Sequence, residues 1–143
     1  VEGRNGTSTM IRSITAADTY PLRHQVLWPD QPLDFVKVPE DEKGLHFGYF
    51  VDHQPVSVIS LFVDDHRVAR FRKFATHPDF QRQGLGSALL EIVFERAIEL
   101  QATRIWCDAR LDAKPFYERF GMKQEGDTFF KGSIPYVKMN LNF

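Results

Sequence analysis

The sequence predicts an α/β (α+β) domain whose mixed, mostly antiparallel sheet of about seven strands carries helices on both faces. Runs rich in β-branched and aromatic residues alternate with helical patterns along the 143 residues, as is typical of such layered folds. With 43% hydrophobic residues, a chain of this length can bury one core and is too short for two. We therefore predict one domain over residues 10–143, whereas the polar residues 1–9 read as an added leader or a disordered arm.

The first third of the chain predicts a short strand, a helix and a long loop. Residues 11–14 form the strand, and Thr15 or Asp18 can cap a helix that continues to residue 27. Prolines and mixed charges then fill residues 28–43. A loop of this length is a candidate rim for a substrate site.

The middle of the chain predicts a hairpin, a further strand and a long helix. Residues 45–51 and 56–63 flank Asp52–Gln54, where the residue types favour a tight turn. A strand over residues 68–76 follows, and apolar residues then recur at helical spacing over residues 85–100.

The last third predicts a strand at residues 104–109, a short helix at 113–120 that ends at Gly121, and two closing strands. The final strand, Tyr136 to Leu141, reads as an exposed edge. An exposed edge can pair with a second copy of the chain, so a homodimer is one expectation and a monomer is the other.

The most informative segment is the turn at Gln81–Ser87, between the strand at 68–76 and the long helix. The first turn of a helix has N–H groups without intrahelical partners and the positive end of the helix dipole, which together stabilise a bound phosphate. Gly84 and Gly86 leave the approach free of side chains, and Arg82 adds a positive charge. The alternative interpretation is a structural turn that binds nothing.

Three phosphate-binding patterns compete for this turn. A Walker loop requires a lysine that does not follow Gly86 here. A dinucleotide loop requires a third glycine where this chain has Leu89, although Asp108 lies at about the expected distance for a ribose ligand. The third pattern, [QR]xxGxG ahead of a helix, is fully met by Gln81, Gly84 and Gly86.

That third pattern resembles the cofactor loop of the GNAT N-acetyltransferase family, which has the acyl-CoA N-acyltransferase fold. A second family pattern, NxxAxxFYExxGF, is similar to residues 110–122, except that Arg110 stands where many relatives have asparagine. Residues 22–29 and 134–139 add to the likeness, which extends from Ile11 to the end of the chain.

The resemblance implies an acyltransferase that uses acetyl-CoA (coenzyme A) as co-substrate and needs no metal. The acetyl group would pass directly to a primary amine of a small-molecule or peptide acceptor, within a ternary complex. Tyr117 would be the acid that assists the leaving thiolate. The residues that the resemblance assigns to the cofactor are Phe74, Ala75, Thr76, Gln81, Arg82, Gln83, Gly84, Leu85, Gly86 and Ser87.

A base must also take a proton from the acceptor amine. Several relatives have a glutamate on the strand before the cofactor turn, but this strand has Arg70, Arg72 and Lys73 instead. Arg72 and Lys73 either attract an acidic acceptor or face solvent. The remaining candidates, each with a structural role as the alternative, are His46, His77, Asp64 and Asp65.

Charge and composition exclude several partners. The sequence has 18 lysine and arginine residues and 19 acidic residues. This balance gives no excess of positive charge, so it does not predict binding to nucleic acid. No apolar run reaches bilayer length and no signal-peptide core is present, so we predict a cytoplasmic protein without a membrane partner. The single cysteine, Cys107, lies in an apolar strand and is predicted to be a buried filler.

Two other functions could use the same glycine turn. A non-catalytic acyl-CoA-binding sensor would keep the turn without the chemistry. A nucleotide-dependent oxidoreductase would need the third glycine that this chain lacks. The identity of the amine acceptor stays open, because one scaffold can serve many amines.

Overall fold

Seven strands form one mixed sheet in the computed structural model, which describes residues 10–143. The strands are β1 (Ile11–Ile14), β2 (Leu45–Val51), β3 (Gln54–Val63), β4 (Val68–Thr76), β5 (Arg104–Arg110), β6 (Lys123–Lys131) and β7 (Ile134–Asn142). Neighbouring strands are antiparallel except β4 and β5, so the predicted fold class is confirmed. The predicted leader at residues 1–9 lies outside the described residues.

The α-helices of the described residues are α1 (Ala16–Leu22), α2 (Leu85–Glu99) and α3 (Lys114–Glu118), and short 3₁₀ helices lie at Leu33–Val36, Asp41–Lys43, Pro78–Phe80 and Leu111–Ala113. Both predicted caps of α1 take part in one capping box. The Thr15 hydroxyl accepts a bond from the Asp18 N–H at 3.2 Å, and the Asp18 carboxylate accepts one from the Thr15 N–H at 3.1 Å. A π-helical segment, Arg23–Leu27, extends α1. Over residues 10–143, no helix combines the length and apolarity needed to cross a bilayer.

Helices pack on both faces of the sheet, as predicted. Val58 and Ile59 are successive residues of β3, so their side chains point to opposite faces. Ile59 belongs to the larger core with the apolar residues of α2 and with Tyr117 of α3. Val58 packs instead with Leu22 of α1. The sheet is therefore the middle layer, with α2 and α3 on one face and α1 on the other.

The C-terminal strand β7 lies inside the sheet, between β5 and β6. It pairs with β5 on one side and with β6 on the other. The prediction that Tyr136 to Leu141 form an exposed edge was therefore wrong. The edge position is taken by β6, and β7 pairs with strands on both of its sides. The described sheet ends at β1 and β6, and the homodimer stays a prediction without this support.

Candidate active site

The strands β4 and β5 separate partway along the sheet. Their parallel ladder joins Val68–Arg70 to Arg104–Trp106, although β4 continues to Thr76 and β5 to Arg110. Past this ladder, the edge of β4 that faces β5 has no partner strand among the described residues. The result is an opening in the sheet with free peptide groups along one wall, where an extended molecule can form hydrogen bonds.

A β-bulge interrupts β4 beside this opening. Val58 and Ser60 are two positions apart in β3, but their partners in β4, Ala75 and Arg72, are three positions apart. Lys73 lies within the bulge with a φ of +56°, a left-handed conformation that is uncommon outside glycine. Because a lysine occupies this conformation, the residue pattern of β4 contained no signal for the bulge.

The turn at Gln81–Ser87 opens α2 beside the end of β4, as predicted. Gly84 is the N-cap of α2 with a φ of +81°, a conformation that favours glycine. The Gln81 side chain donates a hydrogen bond of 3.0 Å to the Thr76 carbonyl and so ties the turn to the strand. Within residues 10–143, the N–H groups of residues 85–87 have no hydrogen-bond acceptor and are free for an anion.

Gly86 also has a packing role that the sequence interpretation missed. A Cβ at this position would lie 3.1 Å from Cζ of Phe74, so the absence of a side chain lets α2 approach β4 closely. At Gly84, by contrast, the space that a Cβ would occupy is open. Glycine at position 84 thus allows the positive φ of the N-cap, and glycine at position 86 allows α2 to pack closely against Phe74.

The predicted cofactor residues lie in two adjoining segments, Phe74–Thr76 at the end of β4 and Gln81–Ser87 at the start of α2. Ala75 and Leu85 have buried side chains. These two residues can therefore offer a ligand their backbone groups, whereas Gln81 and Arg82 lie in the exposed part of the turn.

Tyr117 of α3 packs against β4 on the same face of the sheet as α2. Its ring centroid lies 5.7 Å from that of Phe71 and 5.0 Å from that of Phe116. The residue is 9% exposed, and burial raises the pKa of its phenol above the ordinary value. Tyr117 is therefore protonated at neutral pH.

The two histidines considered as bases have structural partners. His46 Nδ1 lies 2.7 Å from Ser60 Oγ, and its Nε2 lies 2.8 Å from the Asp41 carbonyl oxygen. His77 Nδ1 accepts a hydrogen bond of 3.1 Å from the Asp79 N–H, within the turn that precedes α2. Both imidazole rings therefore form hydrogen bonds that stabilise the surrounding structure.

Asp64 and Asp65 lie in the turn between β3 and β4, at the end of β4 opposite the opening. The Asp64 carboxylate accepts hydrogen bonds from the N–H groups of His66 at 2.9 Å and Val68 at 3.0 Å. Asp65 is exposed. The structure thus does not bring either aspartate together with Tyr117.

A buried ion pair holds the predicted substrate rim at residues 28–43. Arg23 Nη1 and Asp41 Oδ2 are 2.8 Å apart, with side chains 0% and 4% exposed, and Arg23 also donates to Ser60 Oγ at 2.9 Å. Burial alone would raise the pKa of Asp41, but hydrogen bonds from Arg23 and from the Val38 N–H hold the pKa below its ordinary value. The network joins the π-helical segment after α1 to the rim and to β3. Its members are far apart in the sequence, so sequence patterns could not predict these contacts.

The charged residues of β4 and β5 form further pairs beside the opening. Asp108, considered above as a ribose ligand, lies 3.2 Å from Arg70 and 3.7 Å from Lys131. The Arg70 guanidinium also lies 4.2 Å from the ring centroid of Trp106. The Asp108 carboxylate therefore forms ion pairs with Arg70 and Lys131 of its own chain.

Cys107 is 2% exposed, and burial raises the pKa of its thiol, so the side chain is an unreactive filler as predicted. In the part of the chain that the structure describes, no group of three histidine, cysteine or acidic residues is arranged to hold a metal ion.

Both the sequence and the fold are similar to those of known proteins. Residues 32–143 match the sequence profile of the acetyltransferase (GNAT) domain. The chain is 30% identical over 127 residues to the uncharacterized N-acetyltransferase YitI of Bacillus subtilis (strain 168), with 83% of this chain and 85% of that protein covered. Its fold is similar to a crystal structure from Lactobacillus plantarum, with a TM-score of 0.80, 22% identity, and 92% and 97% of the two chains covered. It is also similar to a Bacillus subtilis acetyltransferase in complex with CoA, with a TM-score of 0.73, 18% identity, and 93% and 97% covered.

Proposed function

The chain belongs to the GNAT N-acetyltransferase family, and from this membership we propose that it transfers the acetyl group of acetyl-CoA to a primary amine. One observation carries the proposal: the opening between β4 and β5 adjoins a helix N-terminus with free N–H groups. A thioester carrier needs a site for its phosphates and a track for its extended arm, and these two features suit those needs. The acceptor, a small molecule or a peptide, would attack the thioester directly.

In this proposal coenzyme A lies along the end of β4 and the start of α2. Its pyrophosphate would accept hydrogen bonds from the N–H groups at Gln81–Ser87, with Arg82 as a further positive charge. Its pantetheine arm would bond to the peptide groups of Phe74–Thr76, which have no partner strand on the side of β5 among the described residues. Support for this placement comes from the open space at Gly84 and from the free edge of β4.

Tyr117 would act when the carbon–sulfur bond breaks. A free thiol has a pKa of about 8.5, so its thiolate leaves far more readily than an amine would. Because burial raises the pKa of Tyr117, early proton transfer to the sulfur is unfavourable. We therefore assign the hydroxyl the role of a hydrogen-bond donor that orients the sulfur and transfers its proton late.

The two alternative functions differ in their support. An oxidoreductase loses support because Leu89, at the position of the missing third glycine, is a fully buried core residue of α2. Asp108, the candidate ribose ligand, is held by Arg70 and Lys131. An acyl-CoA sensor would share the whole cofactor site, so an activity measurement must separate it from an enzyme.

A thermal-shift comparison of acetyl-CoA, coenzyme A, NAD and ATP is the first test. A ligand at a hundredfold its dissociation constant stabilises the native state by about 2.7 kcal/mol. We expect that stabilisation from acetyl-CoA and coenzyme A and not from NAD. No shift with acetyl-CoA would contradict the proposed cofactor site.

Thiol release from acetyl-CoA with a panel of amines is the second test. The panel contains amino acids, polyamines, aminoglycosides and peptides with free N-termini, and a reaction without amine corrects for hydrolysis. We expect at least one amine to raise thiol release above this control. A thermal shift without amine-dependent release would identify a sensor.

A further inference from the structure

Lys73 differs from the other cations of β4 in its lack of a carboxylate partner among residues 10–143. Arg70 lies 3.2 Å from Asp108, and Arg72 lies 3.5 Å from Glu40. No carboxylate of the described residues lies within ion-pair distance of Lys73. Lys73 is half-buried at the bulge and has no counter-charge of its own among the described residues.

The charges around Lys73 come from several elements and are mainly positive. Arg72 on β4, Arg23 in the π-helical segment after α1 and Lys131 on β6 all lower its pKa, and Asp41, which raises it, is already paired with Arg23. Burial, followed by repulsion from these three cations, lowers the pKa of Lys73 to about 8. At pH 7 to 8 a lysine in such surroundings is partly neutral, whereas an ordinary lysine is almost fully charged.

Lys73 also lies where the reacting group is expected. In the proposed placement, the arm of coenzyme A starts at the pyrophosphate beside Thr76 and extends along β4 towards Arg70. Its thioester end would then lie near Phe71 and Lys73. Tyr117 packs against Phe71, with ring centroids 5.7 Å apart, so the candidate acid lies at the same level of β4.

We propose that Lys73 is the general base that deprotonates the acceptor amine. This inference rests on the proposed acetyl transfer. The neutral Lys73 amine takes one proton from the acceptor ammonium, and the freed electron pair forms the bond to the acetyl carbon. The carbon–sulfur bond breaks with its electron pair on sulfur, and the second proton of the nitrogen passes to the thiolate through Tyr117 or water. Lys73 returns its proton to solvent, which completes the balance of amide, thiol and one released proton.

The test compares Lys73→Gln and Lys73→Arg with the exposed control Lys123→Gln, using acetyl-CoA and the fastest acceptor of the amine panel. A guanidinium keeps the positive charge but cannot take a proton at this pH. We therefore expect both Lys73 variants to lose about 100-fold in kcat, with the KM for acetyl-CoA unchanged. In the wild type we expect kcat/KM to rise with pH, with a midpoint of about pH 8. This rise should be absent from both Lys73 variants.

A different outcome would assign Lys73 another role. If Lys73 binds an acidic group of the acceptor, Lys73→Arg will keep its kcat and Lys73→Gln will raise the acceptor KM. Either that pattern or full activity of Lys73→Gln overturns the inference. Acetyl-CoA thermal shifts of each variant check that the fold and the cofactor site are intact.

A second measurement does not depend on catalysis. Residue-resolved labelling with acetic anhydride, followed by mass spectrometry, gives the pH dependence of each lysine. We expect a midpoint of about pH 8 for Lys73 and a higher one for exposed Lys123. Equal midpoints would overturn the base assignment even where no amine is acetylated, whereas absence of thiol release alone contradicts the proposed function.

Discussion

Tyr117 is the side chain that the proposed function makes the hydrogen-bond donor to the leaving sulfur. Its ring packs against Phe71 and Phe116, and burial raises the pKa of the phenol above its ordinary value.

Replacing Tyr117 by Phe tests this role at a single atom. The ring contacts remain, so we expect the free energy of unfolding to change by less than about 1 kcal/mol. Without the hydroxyl we expect kcat to fall about 100-fold while the dissociation constant of coenzyme A stays nearly unchanged. Steady-state kinetics and calorimetric titration measure the two quantities. Tyr49→Phe, the same change on β2, is the control, and a wild-type kcat in Tyr117→Phe would remove Tyr117 from the mechanism.

Residue-level sequence reasoning succeeded where the signal was local. The spacing of Gln81, Gly84 and Gly86 predicted the exposed turn because a helix N-terminus is defined by a few consecutive residues. The pair of Arg23 and Asp41 could not be predicted in this way, since the fold alone brings these distant residues together.

At the scale of the element, Gly84 and Gly126 form a matched pair. Their φ angles are +81° and +80°, and a Cβ added at either position would have no atom within 4 Å, so alanine strains both backbones alike. We expect Gly84→Ala and Gly126→Ala each to destabilise the protein by about 1 kcal/mol in urea unfolding. Only Gly84→Ala should weaken coenzyme A binding, by about tenfold or more. Its methyl group would occupy the open space in which the proposed site binds the phosphates. Equal dissociation constants for the two variants would contradict this assignment of the turn.

The elements themselves were largely predictable. Residues 68–76 were predicted as a strand with the bounds that β4 has, because alternation and flanking turn residues are readable in sequence. The bulge within β4 was not, since it reflects pairing with β3 and occurs at a lysine. The predicted helix at 113–120 is shorter in the structure, where α3 covers Lys114–Glu118.

At the scale of the whole molecule, the Arg23–Asp41 pair couples stability to pH. The native pKa of Asp41 lies below its ordinary value, so the native state stabilises the ionised carboxylate. This stabilisation is complete above the unfolded pKa of about 3.9 and is lost as the pH falls through the lower native value. We expect Asp41→Asn to lower the free energy of unfolding by about 3 to 5 kcal/mol at pH 7.

The difference between wild type and Asp41→Asn should narrow below about pH 4, as the wild type loses the contribution of the charged pair. Urea unfolding from pH 3 to 7 measures it. Asp34→Asn serves as the control on the same rim, because the Asp34 side chain is 87% exposed and its pair with Lys37 contributes little. A constant difference across this pH range would show that the ionised form of Asp41 is not what stabilises the fold.

The strand order shows what sequence patterns leave undetermined in the molecule as a whole. Alternation predicted the number and kind of strands, but the insertion of β7 between β5 and β6 depends on contacts between distant segments. The separation of β4 from β5 is of the same kind, since both strands look continuous in sequence.

That separation bears on how such a protein diversifies. Every residue carries the same peptide group, so a wall built from backbone keeps its hydrogen-bonding capacity when its side chains mutate. In the proposed placement of coenzyme A, side chains on the rim and on the neighbouring strands can change to suit another amine while the backbone groups of β4 still bind the extended arm.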